Sequence, residues 1–250
     1  MGMVVRLVGL ILRVLGNLVL RTLPAPHYVQ FILAGEMPAL PPARRGLLRR
    51  FLPKPLSLLE LDQQLERVAG DGRIKGVVLH LHPLRLSWAA QQTVRDGIQR
   101  LQRSGKRVVA WGTAYDTPRY YIASACDTVL LQPGGRIEPL GLAQRYLFLA
   151  DALKRAGLEA DFVQISPYKT ASDMLTRTEM SEQAREMANW LADDLFSQLV
   201  EAIASGRGLT REDVLGAIDE TPVIDRDAQE ARLVDDLVCE KDLPQRLSPK

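Results

Sequence analysis

Apolar positions along the chain follow two alternating rhythms. Strand-length apolar runs lie at residues 27–34 (HYVQFILA), 76–81 (GVVLHL), 106–111 (KRVVAW), 128–131 and 161–165. Between them the apolar residues recur at helical spacing. Leu58, Leu61, Leu65 and Val68 share one face behind Ser57, which forms a capping box with Glu60. Ala90, Val94, Ile98 and Leu101 line a second helix that opens near Ser87 and closes at Gly105. Short helices are predicted at 120–125 and at 144–156, the latter stopped by Gly157. Ser181 caps a long helix reaching about Ala204, with Ala188, Leu191, Leu195, Leu199 and Ala202 on one stripe and Gly206 at its end. Thr210 and Asp213 open a shorter helix, and 227–238 reads as a helix leading into a strand. Apolar strands alternating with amphipathic helices predict an α/β fold, a parallel sheet flanked by helices.

The first 26 residues stand apart from this pattern. Residues 3–23 are apolar except for Arg6, Arg13, Asn17 and Arg21, which fall within about 80° of arc on a helix. An apolar helix with one basic stripe can lie at a membrane surface among anionic headgroups. A spanning anchor would place Arg13 near the bilayer centre, and a helix packed in a soluble protein is the third reading. Pro24 and Pro26 end it. A basic, proline-containing connector covers 38–55, so the organisation expected is an amphipathic segment (1–26), an α/β domain (27–240) with a basic loop at 38–55, and a linker (241–250).

Composition changes this picture little. With 250 residues, 46% of them hydrophobic and 25% charged, the chain can bury a substantial core. The 32 basic and 30 acidic residues nearly cancel to +2, which gives no argument for a nucleic-acid partner. Up to Lys54, however, eight basic residues face the single acid Glu36, so this end suits an anionic surface. Cys126 and Cys239 form no metal-binding or disulfide pattern. His80 and His82 share a strand face, but without a third ligand they read as packed residues. Neither a phosphate loop nor a dinucleotide fingerprint occurs.

The candidate chemistry lies in the loop 166–173, SPYKTASD. Lys169 follows Phe162, Val163, Ile165, Pro167 and Tyr168, with no acid within three positions. A loop lysine is ordinarily a solvated charge. Held against apolar groups, an ammonium loses solvation, its pKa falls, and it can serve as a general base. Thr170 or Ser172 could orient the amine. Ser87, Ser124 and Ser166 read as cap, packing and loop residues, since none sits in a nucleophile elbow.

The segment PYKTASDMLTRTEMSEQAR (167–185) resembles the lysine-bearing segment of the signal peptide peptidase A family of Ser/Lys proteases. GRIKGVVLHL (72–81), SGKRVVAWG (104–112), YYIASACDTVLLQPGG (120–135) and EARLVDDL (230–237) resemble further segments of that family in the same order, over roughly 57–240. The resemblance implies a crotonase/Clp-protease-like fold and Lys169 as general base, with no cofactor or metal. Two departures qualify it. Where the family has a serine followed by two glycines and an aromatic pair, this chain has Thr117-Pro118-Arg119-Tyr120-Tyr121. The family's glycine-rich oxyanion turn would fall at 82–87, which contains no glycine. Thr117 is therefore a poor candidate nucleophile.

The long form of the family resembles two tandem copies, the first supplying the lysine and the second the serine. This chain is similar to such a first half. The expectation is a serine endopeptidase acting on signal peptides or other hydrophobic peptides. Its implied partners are a peptide substrate, a second half carrying the serine, further copies in a homo-oligomer, and a membrane surface, in the bacterial inner membrane, monotopic or single-pass. The alternatives are a non-catalytic scaffold or peptide-binding module, and a coenzyme A enzyme of the same fold, against which the absent glycine turn counts.

Overall fold

The computed structural model describes residues 27–41 and 55–247. The amphipathic segment 1–26 and residues 42–54 of the basic connector lie outside the described residues. The chain divides into two compact units: one runs to Arg136 and resumes at Ile224, the other is Ile137–Val223. The sequence pattern gives no sign of this division, because helical and strand-like runs continue across both of its boundaries.

The first unit is an α/β fold with a mostly parallel sheet flanked by helices. Strands β1 (Tyr28–Glu36), β2 (Gly76–Arg85), β3 (Arg107–Tyr115) and β4 (Thr128–Ile137) lie in that order. The two-residue β5 (Val223–Ile224) follows β4 in the sheet, and β6 (Asp236–Leu237) also pairs with β4. β1, β2 and β3 run parallel, with Val29 opposite Val77 and His80 opposite Trp111. β2 is buried over six successive residues, Gly76 to Leu81, as expected of a strand covered on both faces. Gly76 is required there: a Cβ would fall 2.4 Å from the Arg107 carbonyl oxygen.

One face carries helices α1 (Leu58–Gly70), α2 (Trp88–Arg103) and the short α3 (Thr117–Ala123). Leu61, Leu65 and Val68 of α1 and Ala90, Val94, Ile98 and Leu101 of α2 are buried, as their spacing requires. The Ser57–Glu60 capping box forms, and Ser87 Oγ accepts from the Ala90 amide at 3.3 Å. The Leu58 and Leu59 amides donate to the Pro38 and Ala39 carbonyls at 2.9 and 3.2 Å, so the free amides of the first turn of α1 bind the start of the connector.

The opposite face packs Val78, Val109, Trp111 and Leu130 against Val238 and Leu243. Leu243 opens a short helix (Leu243–Leu247), so residues expected to form a linker here contribute to the core. His80 lies on this face, buried, with its ring edge-to-face on Trp111 at 4.3 Å and stacked on His82 at 4.5 Å. Its Nδ1 is 3.0 Å from Gln30 Nε2, and the exposed Glu240 carboxylate is 3.7 Å away.

Burial, and then the neighbouring His82, lower the His80 pKa, and Glu240 only partly opposes them. A histidine depressed on folding stabilises the native state above its unfolded pKa. That contribution is lost as pH falls below about 6.5. The melting temperature is therefore expected to drop between pH 7 and pH 5 by more in the parent than in His80→Gln. Equal drops in paired thermal melts would refute the assignment.

The second unit holds α4 (Ala150–Arg155), a 3-10 turn (Thr170–Ser172), α5 (Asp173–Thr176), α6 (Glu182–Arg207) and α7 (Arg211–Glu220). Between β5 and β6 the chain forms α8 (Asp225–Glu230), and the helix after β6, Leu243–Leu247, is α9. The expected helix at 144–156 contracts to α4, because the Leu149 amide is bound to the Met174 carbonyl at 2.7 Å and the helix begins only after it. The expected strand at 161–165 does not form. Strand geometry needs a ladder partner, and Val163 and Ile165 are 95% and 79% exposed. α6 begins at its Ser181 cap as expected but ends at Gly208, whose φ of 62° suits glycine, two residues beyond the predicted stop. Only Leu199, Val200 and Ile203 of α6 are buried, so the apolar stripe at Ala188, Leu191 and Leu195 is not covered as predicted.

Candidate active site

The nucleophile position of the resemblance falls at the start of α3 in the first unit. Asp116 caps the helix, accepting from the Arg119 amide at 3.1 Å, and Pro118 follows Thr117 in the first turn. The Arg119 guanidinium folds back onto Asp116, with Nε 2.9 Å from Oδ1, and is itself buried. Tyr120 Oη donates to the Leu233 carbonyl at 2.8 Å. Tyr121 packs on Trp88 and lies under the buried Arg95, whose Nη1 reaches Ser124 Oγ at 2.8 Å. Arg119, Tyr120, Tyr121 and Ser124 are thus packing residues, and burial lowers the Arg95 pKa beside them.

Residues 82–87, the position of the oxyanion turn, are also committed elsewhere. β2 continues to Arg85, pairing Leu84 with Gly35 and Arg85 with Glu36. Between the Leu33–Leu81 and Gly35–Leu84 pairs, β2 uses one residue more than β1, a bulge at His82 and Pro83. Proline has no amide to offer a ladder, and a bulge tolerates it. Strand pairing thus continues through Arg85, where the resemblance would place a glycine-rich turn.

Lys169 lies in the second unit, immediately before the 3-10 turn Thr170–Ser172. It is exposed, and its amine has no hydrogen-bond partner among the described residues. The apolar enclosure expected from the sequence is not formed by the described residues: Phe162, Val163, Ile165 and Tyr168 are exposed as well. Thr170 and Ser172 do not bond the amine; the Ser172 carbonyl instead accepts from Thr176 Oγ1 at 3.0 Å, and the Ser166 carbonyl accepts from the Lys169 amide at 3.0 Å.

The loop is nonetheless ordered by polar contacts that the sequence pattern does not announce. Gln164 Nε2 donates to the Lys169 carbonyl at 3.2 Å. Tyr168 Oη donates to Glu186 on α6 at 3.0 Å, and this hydrogen bond, together with the carboxylate charge, raises the phenol pKa. Asp173 is buried and accepts from Ser181 Oγ at 2.5 Å. Beside the loop, Tyr146, Leu147, Phe148, Met174, Met187 and Leu191 line an apolar groove of about 600 Å³. Among the described residues no group of three or more His, Cys, Asp or Glu could hold a metal ion. No helix among them is long and apolar enough to cross a membrane.

Thr117 thus stands half-buried at the start of α3 in the α/β unit, and Lys169 stands exposed in the second unit. The chain belongs to peptidase family S49, whose model matches residues 100–249. It is 31% identical over 182 residues to the chloroplastic serine protease SPPA of Arabidopsis thaliana, a match covering 73% of this chain and 27% of that protein. It is 25% identical over 207 residues to Protease 4 of Haemophilus influenzae, covering 79% of this chain and 34% of that one. The chain thus spans only about a third or less of these relatives. Among solved structures, a mutant of the 1510-N membrane-bound stomatin-specific protease aligns with 86% of this chain and 81% of its own at 12% identity and a TM-score of 0.48.

Proposed function

We propose that this chain is the lysine-donating part of a Ser/Lys endopeptidase acting on hydrophobic peptides, with the nucleophilic serine carried by another half or another subunit. The observation that carries this reading is the contrast between the two positions. Lys169 is open to solvent on a tethered loop, whereas Thr117 stands in a helix turn occupied by Pro118 and the Asp116–Arg119 pair. In this mechanism the neutral Lys169 amine takes the proton from the incoming serine hydroxyl as its oxygen attacks the peptide carbonyl. The resulting ammonium then returns the proton to the leaving amine. Docking of the serine-bearing part would enclose the lysine in apolar surroundings, which favour the neutral amine.

The groove beside the loop supports an apolar substrate, and exposed Val163, Ile165 and Trp190 support a covering partner, whether a second half or a further copy. Attachment to a membrane surface, in a bacterium the inner membrane, rests on the basic, apolar sequence of 1–26 and would place the peptidase where hydrophobic peptides are released. The reading predicts that residues 1–250 alone do not react with a serine-directed fluorophosphonate, while the serine-bearing assembly does. Stoichiometric labelling of the isolated chain, located by peptide mass spectrometry, would overturn it.

A further inference from the structure

Lys169 is one turn of chain from a buried carboxylate, and that carboxylate has a specific buried partner. Asp173 is 5% exposed and Ser181 is 8% exposed. Asp173 Oδ2 accepts from Ser181 Oγ at 2.5 Å and from the Ser181 amide at 3.3 Å, while Oδ1 lies 3.6 Å from Arg177 Nε. Ser181 is also the N-cap of α6, its Oγ accepting from the Ala184 amide at 3.3 Å. One hydroxyl therefore ties the carboxylate to the start of the longest helix in the described residues. The arrangement is favourable twice over, since anions are stabilised at helix N-termini and charge-assisted O–H···O bonds are short and strong.

The second tie to the same helix lies on the other side of the lysine, from Tyr168 to Glu186, and it is exposed. Exposed pairs contribute little to rigidity, whereas breaking a buried pair strands a desolvated group. The 3-10 turn between Lys169 and Asp173 offers little slack, so the position of Asp173 fixes where the lysine backbone sits relative to α6.

We propose that Asp173, held by Ser181 at the start of α6, is a positioning residue for Lys169. It fixes the 169–173 backbone so that the amine meets the serine at proton-transfer distance. The inference rests on the general-base role of Lys169 given above. A purely structural cap would stabilise α6 without affecting turnover, so the two can be separated.

The test compares Asp173→Asn, Ser181→Ala, Ser181→Thr and Lys169→Ala in the assembled, serine-bearing protein, with steady-state kinetics on an apolar peptide and amide hydrogen exchange. Asp173→Asn and Ser181→Ala are expected to raise exchange at 169–173 about tenfold and to lower kcat by about 10- to 100-fold with KM unchanged, the scale of a misplaced catalytic group. Ser181→Thr, which keeps the hydroxyl, is expected to recover most of the kcat lost in Ser181→Ala. Should Asp173→Asn fail to fold, the alanine and threonine pair at Ser181 carries the comparison. Unchanged exchange at 169–173 overturns the tether. Raised exchange with parental kcat, in a protein that Lys169→Ala inactivates, overturns the positioning role while the general base stands. Parental activity in Lys169→Ala instead overturns the function reading, and this proposal with it.

Discussion

Lys169→Ala, in the protein that includes the serine-bearing part, is expected to lower peptide hydrolysis by about 10²- to 10⁴-fold, the usual worth of a positioned general base. Its melting curve should match the parent. Lys169 is exposed and its amine has no hydrogen-bond partner among the described residues, so truncation removes no packing and strands no buried group. Arginine is not expected to rescue, because a guanidinium stays protonated and cannot accept the serine proton. The measurement is kcat/KM on an apolar peptide beside a thermal melt. Full activity would remove the general-base assignment, and a collapsed melt would show instead that Lys169 is structural.

The largest stability effect is expected in the core of the first unit. Trp111 is 1% exposed and packs with Val78, Val109, Leu130, Val238 and Leu243, and its Nε1–H donates to the Val238 carbonyl at 2.8 Å. Trp111→Ala removes the ring that joins the sheet to the returning carboxy-terminal segment. The cost is expected to be about 3–5 kcal/mol, as for other large aromatic truncations in cores. Trp111→Phe keeps most of the packing but leaves the Val238 carbonyl without its donor, a loss of about 1–3 kcal/mol. Urea denaturation should rank parent, Phe and Ala in that order. An alanine variant within about 1 kcal/mol of the parent would mean that this face does not carry the first unit.

Much of the first unit is legible in the sequence. The capping box at Ser57, the cap at Ser87 and the periodicity of Leu61, Leu65, Val94 and Ile98 are short-range signals, fixed by hydrogen-bond geometry and helical repeat. The second unit defeats the same rules. Residues 161–165 have the composition of a strand, but composition cannot supply a neighbouring ladder, and residues 144–149 have helical spacing but give up a backbone amide to Met174. The candidate site divides in the same way. The Ser181 cap is visible in the sequence, whereas the apolar neighbours of Lys169 suggested an enclosure that the exposed loop does not form. The burial of Asp173 against that cap is not visible there, because two residues eight apart meet only when α5 turns back onto α6.

The sequence by itself thus determined the α/β class, the helix boundaries that carry caps, and the segments around Lys169 and Thr117 on which the family resemblance rests. These follow from local sterics, periodicity and residue identity. Only the tertiary structure decided that the chain divides into two units, that Arg119 folds back on Asp116 beside Thr117, and that residues 243–247 enter the core. It likewise decided that Lys169 stands exposed on a loop tied to α6. Each of these depends on which surfaces distant in sequence remove from water together, and no local pattern encodes that choice.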